Sequence, residues 1–341
     1  MVSTTLLSPA LLKHGGNLNQ AAKQYNLQLA NWLDLSTGIN PDCYPIPSIA
    51  ENIWQRLPEA DDGLIEAVQA YYNAPHVLAT AGSQAAIQTL PMLFLRKLGK
   101  PCHVAMPRTM YAEHAQHWLI HGHTVHYFEG SPDATLLEKV SVIVVCNPNN
   151  PTAQLVKPEV LLAWHTQLVQ KGGWLIVDEA FMDCTPEFSL AKFSYLPNLI
   201  ILRSLGKFFG LAGARVGFVL AEEALLNSLE NSLGPWPIAG PARYIAIHAL
   251  QNTAWQSAAR QNLITQSERL NTLLSQYNLK PQGSTALFQW LPNDNAQAIH
   301  KQLAKQGIWT RLFTDWNAVR FGLPPENGWT RLEAALVNLN R

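Results

Sequence analysis

From about residue 60 to residue 220, short apolar runs, many closed by Gly, Pro or Asn, alternate with longer segments whose apolar residues recur at helical spacing. This alternation predicts an α/β domain whose mostly parallel sheet is joined by crossover helices. Seven runs predict its strands: His76 to Ala81, His103 to Met106, Thr124 to Phe128, Ser141 to Cys146, Trp174 to Val177, Leu199 to Arg203 and Val216 to Leu220. Gln84 to Leu98 and Pro158 to Lys171 predict helices between them. Pro241 to Tyr277 contains no Gly and no internal Pro, so one long linking helix is expected there. Beyond it, strands near Ala286 to Leu291, Trp309 to Phe313 and Val319 to Gly322 accompany helices Ala296 to Lys305 and Trp329 to Leu339. The expected organisation is a large α/β domain over 46–240 and a smaller α+β domain from 1–45 and 241–341.

Composition narrows the partners. Of 341 residues, 48% are hydrophobic and 14% charged, with zero formal net charge. Nothing supplies the basic field that collects nucleic acid or anionic membranes. Cys43, Cys102, Cys146 and Cys184 are widely spaced, without metal-ligand spacing, and read as buried free thiols in a reducing cytoplasm. The opening Met-Val-Ser-Thr-Thr-Leu-Leu lacks a basic region before a long apolar core. A soluble cytoplasmic protein without a metal is expected.

Polar residues gather at the carboxyl ends of several predicted strands, where open parallel sheets bind ligands. Gly82-Ser83-Gln84 turns a strand into a helix, as an anion site or a plain N-cap. Cys146-Asn-Pro-Asn-Asn150-Pro-Thr carries two Asn-Pro steps, each holding its Asn extended. Trp174-Leu-Ile-Val-Asp178-Glu179 drives a buried strand into two acids, which need a cation or strong donors; a helix cap or a magnesium ligand are the other readings. The chain has no G-x-x-x-x-G-K-[ST] loop to accompany magnesium. Finally, Ser204-Leu-Gly-Lys207-Phe-Phe-Gly-Leu-Ala-Gly-Ala-Arg215 places a lysine among apolar residues and glycines, where its amine is activated by desolvation.

One cofactor uses all four stretches. Pyridoxal phosphate has an aldehyde for Lys207, a ring nitrogen for Asp178, a phenolic oxygen for Asn150, and a phosphate for a helix N-terminus, a hydroxyl and an arginine.

With these motifs the chain resembles the fold-type I, aminotransferase-like pyridoxal phosphate enzymes over most of its length. The resemblance implies the pyridoxal phosphate-dependent transferase-like fold, covalent attachment at Lys207, and phosphate contacts from Ser204 and Arg215 alongside Gly82, Ser83 and Gln84. Within that superfamily, His14-Gly-Gly-Asn17, Asp34-Leu-Ser-Thr-Gly-Ile-Asn-Pro41, Asp178-Glu-Ala-Phe181, Tyr111-Ala-Glu-His114 and Arg320-Phe-Gly-Leu-Pro324 are similar to the threonine-phosphate decarboxylases of cobalamin biosynthesis. These are relatives of the histidinol-phosphate aminotransferases. The resemblance implies that Tyr111 stacks on the cofactor ring and Arg320 holds the substrate α-carboxylate, with His14, Gly38, Asn40 and Arg311 around the substrate and its phosphate. Arg311 and Arg320 are expected near the two ends of a hairpin.

Three departures stand out. The family's frequent Asn-Pro-Thr-Gly ends in Ala153, a modest change wherever φ is negative; Phe181 has no hydroxyl for the phenolic oxygen. Leu57-Pro-Glu-Ala-Asp-Asp62 has no tyrosine to lend across a dimer.

The resemblance therefore implies a homodimer that decarboxylates L-threonine O-3-phosphate to (R)-1-aminopropan-2-yl phosphate. An aminotransferase of the histidinol-phosphate type would use the same cofactor residues. A non-catalytic pyridoxal phosphate-binding regulator is the third reading, although no DNA-binding segment is evident.

Overall fold

The computed structural model describes residues 14–340; residues 1–13 and 341, assigned to the small domain from sequence, lie outside the described residues. In chain order the first elements are α1 (Leu18–Tyr25), β1 (Leu33–Asp34), α2 (Glu51–Gln55), α3 (Leu64–Tyr72), β2 (Val77–Thr80), α4 (Ser83–Leu98), β3 (His103–Pro107), α5 (Ala112–Ile120) and β4 (Thr124–Phe128). Then follow α6 (Ala134–Lys139), β5 (Val142–Cys146), α7 (Pro158–Val169), β6 (Trp174–Asp178), β7 (Leu199–Ser204), β8 (Gly217–Leu220), α8 (Glu223–Leu233), α9 (Gly240–Gln251) and α10 (Thr253–Gln276). The chain closes with β9 (Gly283–Thr285), β10 (Phe288–Pro292), α11 (Ala296–Lys305), β11 (Ile308–Trp309), β12 (Arg311–Phe313), β13 (Ala318–Gly322) and α12 (Trp329–Val337).

All seven strands expected between residues 76 and 220 form, in one sheet of order β2-β8-β7-β6-β5-β3-β4. Only β8 runs against its neighbours. Alternate side chains feed two cores: Val142, Val144, Trp174, Ile176, Ile200 and Leu202 pack towards α4, α5 and α8. Ile143, Val145, Leu175, Val177, Leu199 and Ile201 join the core that includes residues of α3, α7 and α9. A parallel sheet covered on both faces needs such continuous apolar strands.

A second sheet, β12-β13-β10-β9, is antiparallel, and β1 pairs in parallel with β11. Three expectations are corrected here. The long helix is two: Asn252 leaves helical geometry (φ −87°, ψ 77°), and its side chain accepts from Trp255 N (3.0 Å), capping α10. The run Trp309 to Phe313 splits at Thr310, so that β11 joins β1 and β12 joins β13. Of the four cysteines read as buried, Cys43 is exposed; Arg311 and Arg320, expected near the two ends of a hairpin, do pair directly across β12 and β13.

Ala153 stands at φ 63°, inside the left-handed region. An L residue is disfavoured there by about 1 kcal/mol, so the Ala in place of Gly is a strained substitution. Among the described residues no helix is long and apolar enough to cross a membrane.

Candidate active site

The carboxyl ends of β5, β6 and β7 lie in register: Cys146 pairs with Asp178, and Asp178 with Leu202, two residues before Ser204. Beyond β7 the chain turns through Lys207 and returns as β8, whose Gly217 pairs with Ser204. Gly217 is required by close approach, since a Cβ there would stand 2.3 Å from Ser83 N. The N-terminus of α4 is thereby brought against the end of β7.

Arg215 completes this corner. It adopts φ 54° and ψ 45°, an uncommon backbone for a residue with a side chain. Its guanidinium lies against Gly82, where a Cβ would come within 2.7 Å of Nη2. The first turn of α4, Ser204 and Arg215 together form a cradle of the polarity an anion requires.

Lys207 follows in the same loop, partly buried, with Nζ over the Phe181 ring at 5.3 Å. Burial, then the charges of Arg320 and Arg215, pull its pKa down to about 8, against the opposing pull of Asp178. Its backbone is pinned: Asn40 N and Gly210 N donate to Lys207 O at 3.0 and 3.1 Å, and Asn40 Nδ2 donates to Phe208 O at 2.8 Å. The Asn40 side chain, expected around the substrate, thus serves the lysine loop.

Asp178 is buried opposite this corner. His114 Nε2 lies 2.9 Å from its Oδ2, and Ala180 N donates to Oδ1 at 3.1 Å. The Cys146 thiol is 3.8 Å from the same Oδ2, with its pKa raised by burial and then by Asp178. His114, Cys146 and Asp178 are the one group of metal-capable side chains that converges among the described residues. The imidazole contact gives Asp178 a built partner that sequence reasoning missed; Tyr111-Ala-Glu-His114 contained it without marking its direction.

Tyr111 precedes α5, and burial followed by nearby Glu113 raises its pKa above the ordinary value. Its hydroxyl donates to Gln84 Oε1 (3.2 Å), whose Nε2 donates to Glu113 Oε2 (2.7 Å). Glu113 also meets His14 Nε2 (2.8 Å) and His117 Nε2 (3.1 Å). Sequence reasoning missed this carboxylate, which gathers Gln84 and His14 and engages the Gln84 side chain away from the anion corner.

At the other side, Arg320 is buried, with Nη1 donating to Asn150 Oδ1 (2.5 Å) and Nη2 to Ser36 O (2.6 Å). Its Nε is buried without a partner. Burial and the facing Arg311 lower its pKa to about 9, partly countered by Asp34. Gly38 lies against Phe288, Phe181 and Arg320. The donor set fits pyridoxal 5′-phosphate: an anion cradle and a buried carboxylate flank a desolvated amine, with an unpartnered guanidinium nitrogen of Arg320 buried nearby.

A family model described as aminotransferase class I and II matches residues 51–339. The threonine-phosphate decarboxylase of Pseudomonas aeruginosa is 49% identical over 328 residues, 96% of this chain and 98% of its own. A protein of the same name from Sinorhizobium sp is 38% identical over 339 residues, 97% of this chain and 99% of its own. The solved histidinol-phosphate aminotransferase from Sinorhizobium meliloti, in complex with pyridoxal-5′-phosphate, shares the fold with a TM-score of 0.80 at 18% identity, covering 99% of this chain and 100% of that one. With a match of that family model across most of its length, the chain belongs to the aminotransferase class I and II family.

Proposed function

We propose that this chain is a pyridoxal 5′-phosphate-dependent lyase that decarboxylates L-threonine O-3-phosphate to (R)-1-aminopropan-2-yl phosphate, a reaction of cobalamin biosynthesis. The observation that carries the reading is the 49% identity to a threonine-phosphate decarboxylase over nearly the whole of both chains. Arg311 and Arg320, cross-strand neighbours on β12 and β13, support it, because the substrate carries a carboxylate and a phosphate.

Bound in the site, the cofactor supplies an aldehyde for the lysine and a ring that takes up the electron pair of the breaking bond at Cα. The residues supply position and charge. Ser204, Arg215 and the Gly82-Ser83 turn would hold the phosphate; Asp178, backed by His114, would stabilise a proton on the ring nitrogen. Asn150 would take the phenolic oxygen and Tyr111 the ring, while the Phe181 ring lies beneath Lys207 Nζ. Lys207 Nζ, with a pKa of about 8, holds or releases a proton close to neutral pH. Arg320 binds the α-carboxylate, while Arg311, His14 and the Gly38 to Asn40 turn bound the phosphate side.

The wider reading includes a large domain over 46–240, a smaller one from 1–45 and 241–341, a cytoplasmic location and a homodimer. Exposed Trp54, Leu57 and Trp236 support self-association, and zero formal net charge speaks against nucleic acid or anionic membranes as partners.

The deciding assay mixes purified protein, reconstituted with cofactor, with O-phospho-L-threonine and follows carbon dioxide and the amine phosphate. Histidinol phosphate with 2-oxoglutarate serves as control. Carbon dioxide release in the first mixture is expected; glutamate in the second without carbon dioxide in the first would assign the transferase instead.

The pH dependence of the cofactor-free protein checks Lys207 separately. Its pKa is about 8 in the folded chain against an ordinary value of 10.5, so above pH 8 the unfolded chain binds more protons. Stability attributable to Lys207 therefore rises with pH across this window, by about 3 kcal/mol in all. The gap between wild type and Lys207→Met in urea unfolding is expected to widen in favour of wild type from pH 8 to 10.5. A flat difference would show that the amine titrates normally.

A further inference from the structure

Arg203 is an unusual residue for the end of a buried strand, and its contacts tie together two parts of the site that it does not touch. Its Nη1 donates to Glu179 Oε2 at 2.6 Å and its Nη2 to Asp183 Oδ1 at 2.5 Å. Glu179 accepts in addition from Ser189 Oγ (2.5 Å) and Leu190 N (2.7 Å). The guanidinium lies 4.3 Å from the centre of the Tyr72 ring. Arg203, Glu179 and Asp183 are only 1%, 0% and 1% exposed.

Their place in the chain carries the argument. Glu179 directly follows Asp178, and Arg203 directly precedes Ser204. Successive side chains point to opposite faces of a sheet, so the ion pairs lie behind the site while Asp178 and Ser204 lie in front of it. The ends of β6 and β7 are thus joined twice, by Glu179 N donating to Leu202 O (2.9 Å) and by the Arg203 fork.

Stability alone is a poor reason for the cluster. Asp183 Oδ2, Arg203 Nε and Tyr72 OH are buried without partners, and a buried ionic group that is incompletely satisfied is commonly no more stable than an apolar replacement. A planar fork that reaches two carboxylates does, however, fix direction.

Resting on the cofactor assignment above, we propose that Arg203, with Glu179 and Asp183, is a positioning device that sets the spacing between Ser204 at the phosphate end and Asp178 at the ring end. One molecule then engages both ends at once, and its affinity exceeds that of a molecule lacking either end.

The test compares cofactor-free wild type with the charge-neutral variant Arg203→Met/Glu179→Gln/Asp183→Asn, and with Arg203→Lys. Dissociation constants are measured for pyridoxal 5′-phosphate and for pyridoxal, alongside thermal unfolding. In the triple variant, affinity for pyridoxal 5′-phosphate is expected to fall at least about tenfold while that for pyridoxal changes less than about twofold, because simultaneous engagement is what is lost. Arg203→Lys, with charge but no fork, is expected to fall between. Should the triple variant fail to fold, Arg203→Lys alone decides by the same ratio. A folded variant whose two affinities are unchanged, or fall in parallel with its melting temperature, overturns the positioning role. Wild type that binds neither compound refutes the cofactor assignment, a result distinct from an unchanged ratio.

Discussion

Replacing Lys207 with alanine is expected to leave a folded protein that retains pyridoxal 5′-phosphate without covalent attachment and has lost nearly all turnover. The change is confined to the side chain. The loop is held through backbone groups, with Lys207 O accepting from Asn40 N and Gly210 N, and Phe208 O accepting from Asn40 Nδ2. Phe208 and Phe209 pack against Trp255 at ring separations of 5.5 and 5.6 Å. The anion cradle and Asp178 remain to hold the cofactor. What disappears is an amine able to bond the aldehyde and, on the function proposed above, to carry a proton at Cα. Loss of the proton carrier alone accounts for a decrease of about 10²- to 10⁴-fold in turnover. Borohydride treatment followed by peptide mass spectrometry should place a pyridoxyl group on the Lys207 peptide of wild type and leave the variant unlabelled. Undiminished turnover, or wild-type label on another lysine, would remove Lys207 from its role.

The large sheet was legible because strands buried on both faces appear as unbroken apolar runs, and each expected run from His76 to Leu220 contains a strand. The break at Asn252 was not, since it involves neither Gly nor Pro. It depends on an asparagine side chain capping a helix in a stretch otherwise favourable to helix. Thr310 was missed for a related reason: a strand that changes partners keeps its apolar pattern, and only tertiary pairing reveals the change.

A similar division runs through the site. Asp178, Ser204, Lys207 and the Asn150 turn each stand where a strand ends, so local sequence exposes them. Glu113 and His114 lie within α5 and meet groups 29 and 64 residues away, on α4 and at the end of β6. Nothing within one helix specifies such distant partners. Arg203 is intermediate: a charge closing Leu-Ile-Ile-Leu announces a buried partner without saying which acid it is. The cofactor assignment could therefore be argued from sequence, whereas the supports of its ligands required the fold.

Arg320→Lys is expected to be the most damaging change on the substrate side, although it preserves the positive charge. Arg320 spans Asn150 Oδ1 and Ser36 O with separate nitrogens, and its Nε is still without a partner. An ammonium group is a point charge on a flexible stem and cannot bridge two fixed acceptors while presenting a planar edge to a carboxylate. Breaking a buried charged hydrogen-bonded contact costs about 2–5 kcal/mol, which corresponds to a fall in kcat/KM of roughly 30- to 4,000-fold. Arg311 pairs with position 320 across the strands, and its charge disfavours a second cation there, so it opposes the introduced ammonium rather than supporting it. The chemistry should shift as well. Decarboxylation requires the bond from Cα to the carboxylate carbon to be held in the direction of the electron sink, and a guanidinium gripping the carboxylate, as proposed for Arg320, would set that direction. A looser grip admits conformers in which the Cα proton occupies the same position, so amino transfer should increase relative to carbon dioxide release. Both are measurable in one reaction, as carbon dioxide and as the aminated form of the cofactor. A kcat/KM within threefold of wild type, with unchanged partition between the products, would mean that the carboxylate is held elsewhere.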